Sequence, residues 1–341
     1  YSRPMGNTVA TADAATTAAA EPRGADGVCW KMTAIGDPSD KALLVEEARP
    51  WPAIGPTDVL VSVGAAALNP IDYKLMMGKI AVMTTPPFVG GFDFAGTVEA
   101  AGAESGFEKG QKVFGDVPNM KETSPYGGSL STYMLVPSNK VALQPPDMTH
   151  AEASSLSLVG QTVLDCLAMA APSAGARVLI LGASGGVGTS AVQIMKAEGL
   201  FVIGVCSGKN AGLVADLGAD RVVDYTAEDW SETLAGDDAK VDVVFDFAPS
   251  GAHSTESWEK ATKVLSTGGK FITISGSSAD GSVTVGSFLS GKISASWTNT
   301  FGNHKYYSVL KVSDALKLQR LAKLAAEGKL KPVVDTVYPW E

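Results

Sequence analysis

Val178-Leu179-Ile180-Leu181-Gly182-Ala183-Ser184-Gly185-Gly186-Val187-Gly188 is the stretch whose reading decides the fold. Four apolar residues of strand character run straight into a glycine-rich turn, and a helical pattern follows as far as Lys196. On the template of a dinucleotide-binding turn the three glycine positions fall on Ala183, Gly185 and Gly188. They serve the tight turn, the close backbone approach to a pyrophosphate and the close packing of the helix. Ala183 stands in the first glycine position, and Gly186 adds freedom beside the second. Gly182, Ala183, Ser184, Gly185, Gly186, Val187 and Gly188 are therefore candidate cofactor-binding residues.

Downstream the chain alternates apolar strands with helical segments. The strands are Val178 to Leu181, Phe201 to Cys206, Arg221 to Asp224, Val241 to Asp246, Phe271 to Ser275 and Ile293 to Trp297. Strands spaced so that each crossover can hold a helix predict a doubly wound parallel sheet, an α/β fold. Upstream the texture differs: Val28 to Ile35, Val59 to Ala66, Gly96 to Ala101, Lys112 to Phe114 and Leu130 to Val136 are short β-like runs broken by Gly and Pro. That half reads as a compact β-rich domain. Leu316, Leu321 and Leu324 at helical spacing, with basic residues between them, predict an amphipathic helix over Val312 to Glu327 that packs on a core.

With 341 residues, two domains are expected at roughly 150 residues each. Apolar residues are 45% and charged residues 18%, which fits a soluble globular protein and excludes wholesale disorder. The net charge of −9 without a basic run argues against nucleic acid as a partner. No apolar run approaches the ~18 residues of a membrane span. Cys29, Cys166 and Cys206 are too few and too scattered for a disulfide framework or a four-thiolate zinc site, and His150, His253 and His304 lack metal-ligand spacing. Residues 1–27, rich in Ala and Thr, read as a flexible arm or targeting remnant, which leaves an organelle (plastid or mitochondrion) and the cytoplasm both open. The stop at Glu341, without a cap or polar tail, reads as the loss of C-terminal residues.

The charge at the end of the second strand selects between cofactors, because an acid there binds the ribose 2′-hydroxyl of NAD and repels a 2′-phosphate. The chain reads Val205-Cys206-Ser207-Gly208-Lys209-Asn210, with no acid before Asp216. Ser207 as a hydrogen-bond donor and Lys209 as a positive charge favour NADP(H). Lys209 is alternatively a solvated residue at a helix start.

Several further motifs occur in order: Asn69-Pro70-Ile71-Asp72-Tyr73-Lys74, Gly91-Phe92-Asp93-Phe94-Ala95-Gly96, Gly110-Gln111-Lys112-Val113-Phe114-Gly115, Gly127-Gly128-Ser129-Leu130 and Leu158-Val159-Gly160-Gln161-Thr162. With the glycine turn they resemble the zinc-free quinone oxidoreductase branch of the medium-chain dehydrogenase/reductases, from Val28 to Glu341. The resemblance implies a β-rich, GroES-like, partly open barrel over residues 28–157 and 298–341. It implies a Rossmann cofactor domain over 158–297, with the chain returning at about Thr298. It also implies hydride transfer to a quinone or an α,β-unsaturated carbonyl, and a homodimer. Where zinc-dependent relatives carry ligands this chain has Ile71, Phe92 and Leu158, which cannot bind zinc. A cofactor-retaining subunit or scaffold of a larger complex, and a 2-enoyl thioester reductase, are the competing readings.

By match to the same pattern, Asn69 and Asp72 belong to the catalytic cleft wall, with Tyr73 and Lys74 as donors. Asn69-Pro70 and Asp72 alternatively form a turn that caps a helix beginning near Ile71. Gly160 and Thr162 approach the nicotinamide half. Phe247, Ala248, Ser275 and Gly276 lie past the carboxyl ends of strands, where such folds bind ligands, with ordinary loop packing as the alternative. Tyr225 resembles a family residue near the 2′-phosphate and is alternatively a buried aromatic. Tyr307 and Lys311 have the spacing of a short-chain dehydrogenase pair, but some 180 residues precede the glycine turn here and that family begins with it. Met76, Met77 and Met83 fit either an acceptor pocket or core packing.

Overall fold

Among the described residues, apolar runs punctuated by Gly and Pro become strands. The computed structural model describes residues 7–11, 27–37, 39–49, 52–80, 86–117, 127–235, 240–248, 253–274 and 302–340. The strands β1 (Asn7–Thr11), β2 (Gly27–Met32), β3 (Leu44–Arg49) and β4 (Asp58–Leu68) precede a short helix α1 (Pro70–Met76). Then come β5 (Phe88–Val89), β6 (Asp93–Ala101), β7 (Lys112–Asp116), β8 (Tyr133–Pro137), β9 (Val141–Leu143) and the helices α2 (His150–Ser154) and α3 (Ser157–Ala170). Alternation follows: β10 (Arg177–Leu181), α4 (Gly186–Ala197), β11 (Phe201–Cys206), α5 (Ala211–Asp216), β12 (Arg221–Asp224), α6 (Trp230–Ala235) and β13 (Val241–Asp246). The chain closes with α7 (His253–Val264), β14 (Leu265–Thr273), β15 (Lys305–Ser308), α8 (Ala315–Ala326) and β16 (Val334–Pro339).

Two units result, one made of Asn7–Gln161, Val312–Glu327 and Pro332–Glu341, the other of Thr162–Lys311 and Gly328–Lys331. In the second unit six parallel strands take the order β12-β11-β10-β13-β14-β15. That is the doubly wound order with its reversal beside β10, so the carboxyl ends of β10 and β13 flank the natural crevice. The core of this sheet includes Leu179, Ile203, Val244 and Phe271, each fully buried. Among the described residues the strand next to β14 is β15; the strand expected at Ile293 to Trp297, the return at Thr298, and Met83, Ser275 and Gly276 lie outside them.

In the first unit β4 is the longest strand, and its Val59, Leu60 and Val61 are buried. β6 pairs with one edge of β4; along the other, β8 covers Asp58–Ser62 and β1 covers Ala65–Leu68. The sequence reading gives residues 1–27 no element, yet Asn7–Thr11 is a strand, antiparallel to β4 and parallel to β16. Its Thr8, Val9 and Thr11 suit a strand, and it satisfies the backbone groups that β8 leaves open.

Helix α8 corrects the expected apolar stripe. Leu318, Leu321 and Leu324 are buried while Leu316 is 72% exposed. Asp314 caps the helix by accepting the Leu316 N–H at 2.8 Å, and Leu318 packs with Ala95, Phe114 and Ala142 of the sheet. The one apolar helical stretch of membrane-span length among the described residues, His150–Ala170, is 78% buried within the protein over its most apolar window. It is core helix.

Leu318→Ala is expected to lower the stability of this unit by about 2–5 kcal/mol, whereas Leu316→Ala should stay within about 0.5 kcal/mol of wild type. Urea midpoints of the two variants check this, and equal shifts would return the stripe to Leu316.

Candidate functional site

The cofactor half is built where β10 ends. Gly182 takes φ +76°, the left-handed region, and a Cβ there would stand 2.9 Å from the Ala248 amide nitrogen. Only glycine meets both demands. The tight turn that the template assigns to Ala183 is thus made one residue earlier. Ala183 itself is fully buried and donates its N–H to Val205 O at 3.0 Å. Gly188 answers the third template position: a Cβ would run into the Gly182 carbonyl oxygen and stand 2.7 Å from Ala183 Cα.

Gly185 is different. A Cβ on it would meet only Gly182 O, at 3.4 Å, so this side of the turn is open. The first helical bond of α4 runs from the Thr189 N–H to Gly185 O at 2.8 Å. The leading N–H groups of Gly186, Val187 and Gly188 therefore lack helical acceptors, at the positive end of a helix. An open turn lined by bare N–H groups, with no side chain in the way, fits a pyrophosphate.

The next strand carries the second part. After β11, Ser207–Asn210 forms a tight turn closed by the Asn210 N–H donating to Ser207 O at 2.8 Å. Lys209 projects from it, exposed and with no partner among the described residues. Parallel register pairs Cys206 with Asp224 across β11 and β12, and the Tyr225 N–H donates to Cys206 O at 3.1 Å. Tyr225, 56% exposed, thereby stands at the same strand ends as Lys209. The Asp224 carboxylate accepts from Thr226 Oγ1 at 2.6 Å, from Thr226 N at 2.9 Å and from the Gly208 N–H. These bonds, those from Thr226 first, hold its pKa below the usual carboxylate value. Asn210 Nδ2 donates to Ser184 Oγ at 3.1 Å, joining this turn to the glycine turn.

Phe247 and Ala248 follow β13. The Phe247 N–H donates to Leu181 O at 3.0 Å and the Ala248 N–H to Asp246 Oδ1 at 3.2 Å, which fixes both beside Gly182. Thr162 is buried. Gly160 has a packing use, since a Cβ would stand 2.6 Å from a Leu321 methyl of α8.

The other candidate group belongs to the first unit. Asn69 precedes Pro70 of α1, and its N–H donates to Asp72 Oδ2 at 2.7 Å. Its Nδ2 donates to Asp93 Oδ2 at 2.8 Å, and Asp93 Oδ1 accepts the Leu158 N–H at 2.8 Å. All three side chains are at least nine-tenths buried. Asp72 Oδ1 is buried without a hydrogen bond of proper geometry. Burial raises the Asp72 pKa to about 7; the N–H groups of Asn69, Gly91 and Phe92 pull it back only in part. Asp72 thus serves the capping alternative and the cluster at once. Tyr73 is 36% exposed, and the Lys74 ammonium is lowered in pKa by burial and by Lys79.

The structure therefore gathers Gly182–Gly188, Ser207, Lys209, Tyr225, Phe247 and Ala248 at the carboxyl ends of four adjacent strands. It gathers Asn69 and Asp72 around Asp93, with Tyr73 and Lys74 on less buried positions of the same helix. His304 Nδ1 is engaged with Ser266 O at 3.1 Å, and Tyr307 lies in β15. Sequence reading misses three contributors. Asp93 stands in a motif that it quotes, but its bond to Asn69 spans 24 positions. Asp224 reaches the second strand end from the third strand, and Asn210 gives no signal beyond its closeness to Lys209.

Comparisons with known proteins agree with this architecture. The pattern of the alcohol dehydrogenase GroES-like domain matches residues 55–146, and that of zinc-binding dehydrogenase matches 217–341. A 2-methylene-furan-3-one reductase of Solanum lycopersicum is 32% identical over 318 residues, 91% of this chain and 72% of its own. An NADPH-dependent alkenal/one oxidoreductase, chloroplastic, of Arabidopsis thaliana is 33% identical over 85% of this chain and 67% of its own. Among solved structures, the quinone oxidoreductase from Coxiella burnetii superposes with a TM-score of 0.70 at 26% identity, over 90% of this chain and 89% of that one. Identity at that level along most of both chains, on a doubly wound sheet with a cofactor turn, makes this chain a member of the medium-chain dehydrogenase/reductase superfamily, oxidoreductases that use a nicotinamide cofactor.

Proposed function

We propose that this chain is an NADPH-dependent, zinc-independent reductase of quinones or α,β-unsaturated carbonyl compounds. The observation that carries the reading is the end of β11, where Lys209 and Tyr225 are exposed and the neighbouring carboxylate of Asp224 is spent on Thr226 and Gly208. A 2′-phosphate would meet a free ammonium and a phenol there. The names of the tomato, Arabidopsis and Coxiella proteins support the acceptor class.

Gly182 to Gly188 would hold the pyrophosphate on bare N–H groups, and Ser207, Lys209 and Tyr225 would hold the 2′-phosphate. Thr162, Phe247 and Ala248 would contact the rest of the cofactor. When bound, the nicotinamide supplies a hydride. A conjugated acceptor is already electrophilic, so the protein's share is orientation and hydrogen bonding to the oxygen that gains charge. Asn69, with its amide fixed by Asp93, and the donors Tyr73 and Lys74 are assigned to that share. Asp72 keeps a proton on its carboxyl close to neutral pH.

The direct test is oxidation of NADPH and of NADH by the full chain against a naphthoquinone, a short enone, a reactive enal, a 2-enoyl thioester and a simple aldehyde. Turnover of quinone, enone or enal with NADPH is expected; reduction of the aldehyde alone would sink the proposal. Lys209→Glu is expected to raise the KM for NADPH by about tenfold or more and to leave NADH within about twofold. Equal losses would remove Lys209 from phosphate recognition.

Asp72 makes a pH prediction. Its folded pKa of about 7 lies above the unfolded carboxylate value. Its contribution to stability is present below the unfolded value of about 4 and is lost as pH rises through about 7. Urea titrations should show wild-type stability falling across that window and Asp72→Asn flattening the fall; parallel curves would assign the proton elsewhere.

A further inference from the structure

Asp224 presents a puzzle, because a carboxylate beside a phosphate subsite ought to repel the phosphate. Its bonds explain why it is there. It caps its own turn through Thr226 N and Oγ1, and Ala227 N–H and Glu228 N–H donate to its backbone carbonyl at 3.1 Å each. It also reaches across to the neighbouring strand end and accepts the Gly208 N–H. The fit is tight: a Cβ on Gly208 would collide with the carboxylate and stand 3.0 Å from Asp224 Cγ. Gly208 immediately precedes Lys209, and Tyr225 immediately follows Asp224. One carboxylate thus joins the two backbone segments that carry the exposed ammonium and the exposed phenol. On its far side the same turn is held by Asn210 Nδ2 on Ser184 Oγ, so it is tied to the glycine turn as well.

From this geometry we infer that Asp224 is a positioning residue for 2′-phosphate recognition, holding the Ser207–Asn210 turn so that Lys209 and Tyr225 face the phosphate together. The inference rests on the NADPH reading above and adds the residue that makes that subsite rigid. The carboxylate's negative charge is offset locally by three donors, and its own N–H contacts keep it ionised at neutral pH. Preorganisation of the ammonium and the phenol then outweighs the residual repulsion.

The sign of the effect separates positioning from bystander charge. If Asp224 were only a nearby negative charge, Asp224→Ala and Asp224→Asn would both tighten NADPH several-fold. If it positions the turn, Asp224→Ala loosens NADPH by about tenfold, with kcat and the KM for NADH within about twofold of wild type. Asp224→Asn retains an acceptor oxygen and should recover most of the loss. The measurements are KM and kcat for both cofactors on wild type and both variants, with thermal midpoints to register folding.

A wild-type enzyme that prefers NADPH, together with an Ala variant that binds NADPH as tightly as or more tightly than wild type, overturns the role of Asp224 and leaves the NADPH reading standing. Losses equal for both cofactors, or a collapsed thermal midpoint in both variants, overturn it as well, because the residue is then structural. A wild-type NADPH-to-NADH ratio near one removes the 2′-phosphate subsite and this inference with it. Asn210→Ala, which cuts the tie to Ser184 without touching charge, should weaken NADPH in the same selective way.

Discussion

A strand that ends in the middle of a parallel sheet must reverse into its helix within a few residues, and the backbone at that corner has almost no room. At Gly182 the chain adopts φ +76° with the Ala248 amide nitrogen only 2.9 Å from where a Cβ would stand. Because the corner packs against the residues after β13, it fixes the neighbouring strand end as well as its own. Phe247 and Ala248 are hydrogen-bonded in turn to Leu181 and Asp246. The same compactness leaves Gly185 open and the first N–H groups of α4 bare. The anion-binding character of the corner is therefore a consequence of how the sheet turns, and the other cofactor contacts are arranged around it at the ends of β11 and β12.

The first unit relies on buried polar ties instead. Asp93 links Asn69 to the start of α3, while Asp116 accepts from Gln161 Nε2 at 2.5 Å and from Ser313 Oγ at 2.6 Å. Gln161 Oε1 in turn accepts the Asp314 N–H at 2.7 Å, at the cap of α8. A buried carboxylate is costly unless its oxygens are occupied, so each of these acids commits its neighbours to one arrangement. Apolar packing of Leu318 and Leu321 sets how deeply α8 sits; the polar ties set where it begins.

What was legible in the sequence follows from range. Phe201–Cys206, Arg221–Asp224 and Val241–Asp246 are found at their expected bounds, because continuous apolar runs flanked by Gly, Ser or Asp carry their own limits. The glycine turn is equally local. The expected stripe of α8 fails at Leu316, which stands five residues before Leu321 and so about 140° round the helix, whereas Leu318 at i,i+3 shares the buried face. Strand β1 carries too few apolar residues to announce itself and is held by ladders to residues far along the chain. Asp224 was passed over for a related reason. A search for an acid along the second strand cannot see one delivered by parallel register from the third.

The Asn69 cluster shows how environment divides labour between like groups. Asp72 and Asp93 are both buried carboxyls bonded to the same asparagine. Asp93 receives a side-chain amide on one oxygen and a helix-start N–H on the other. Asp72 has its one well-formed bond at Oδ2, and its buried Oδ1 has no hydrogen bond of good geometry. Burial, offset only in part by the N–H groups of Asn69, Gly91 and Phe92, raises the Asp72 pKa to about 7. Asp93 thereby fixes the Asn69 amide, while Asp72 holds its proton to about pH 7, so burial and hydrogen bonding set two neighbouring carboxyls apart.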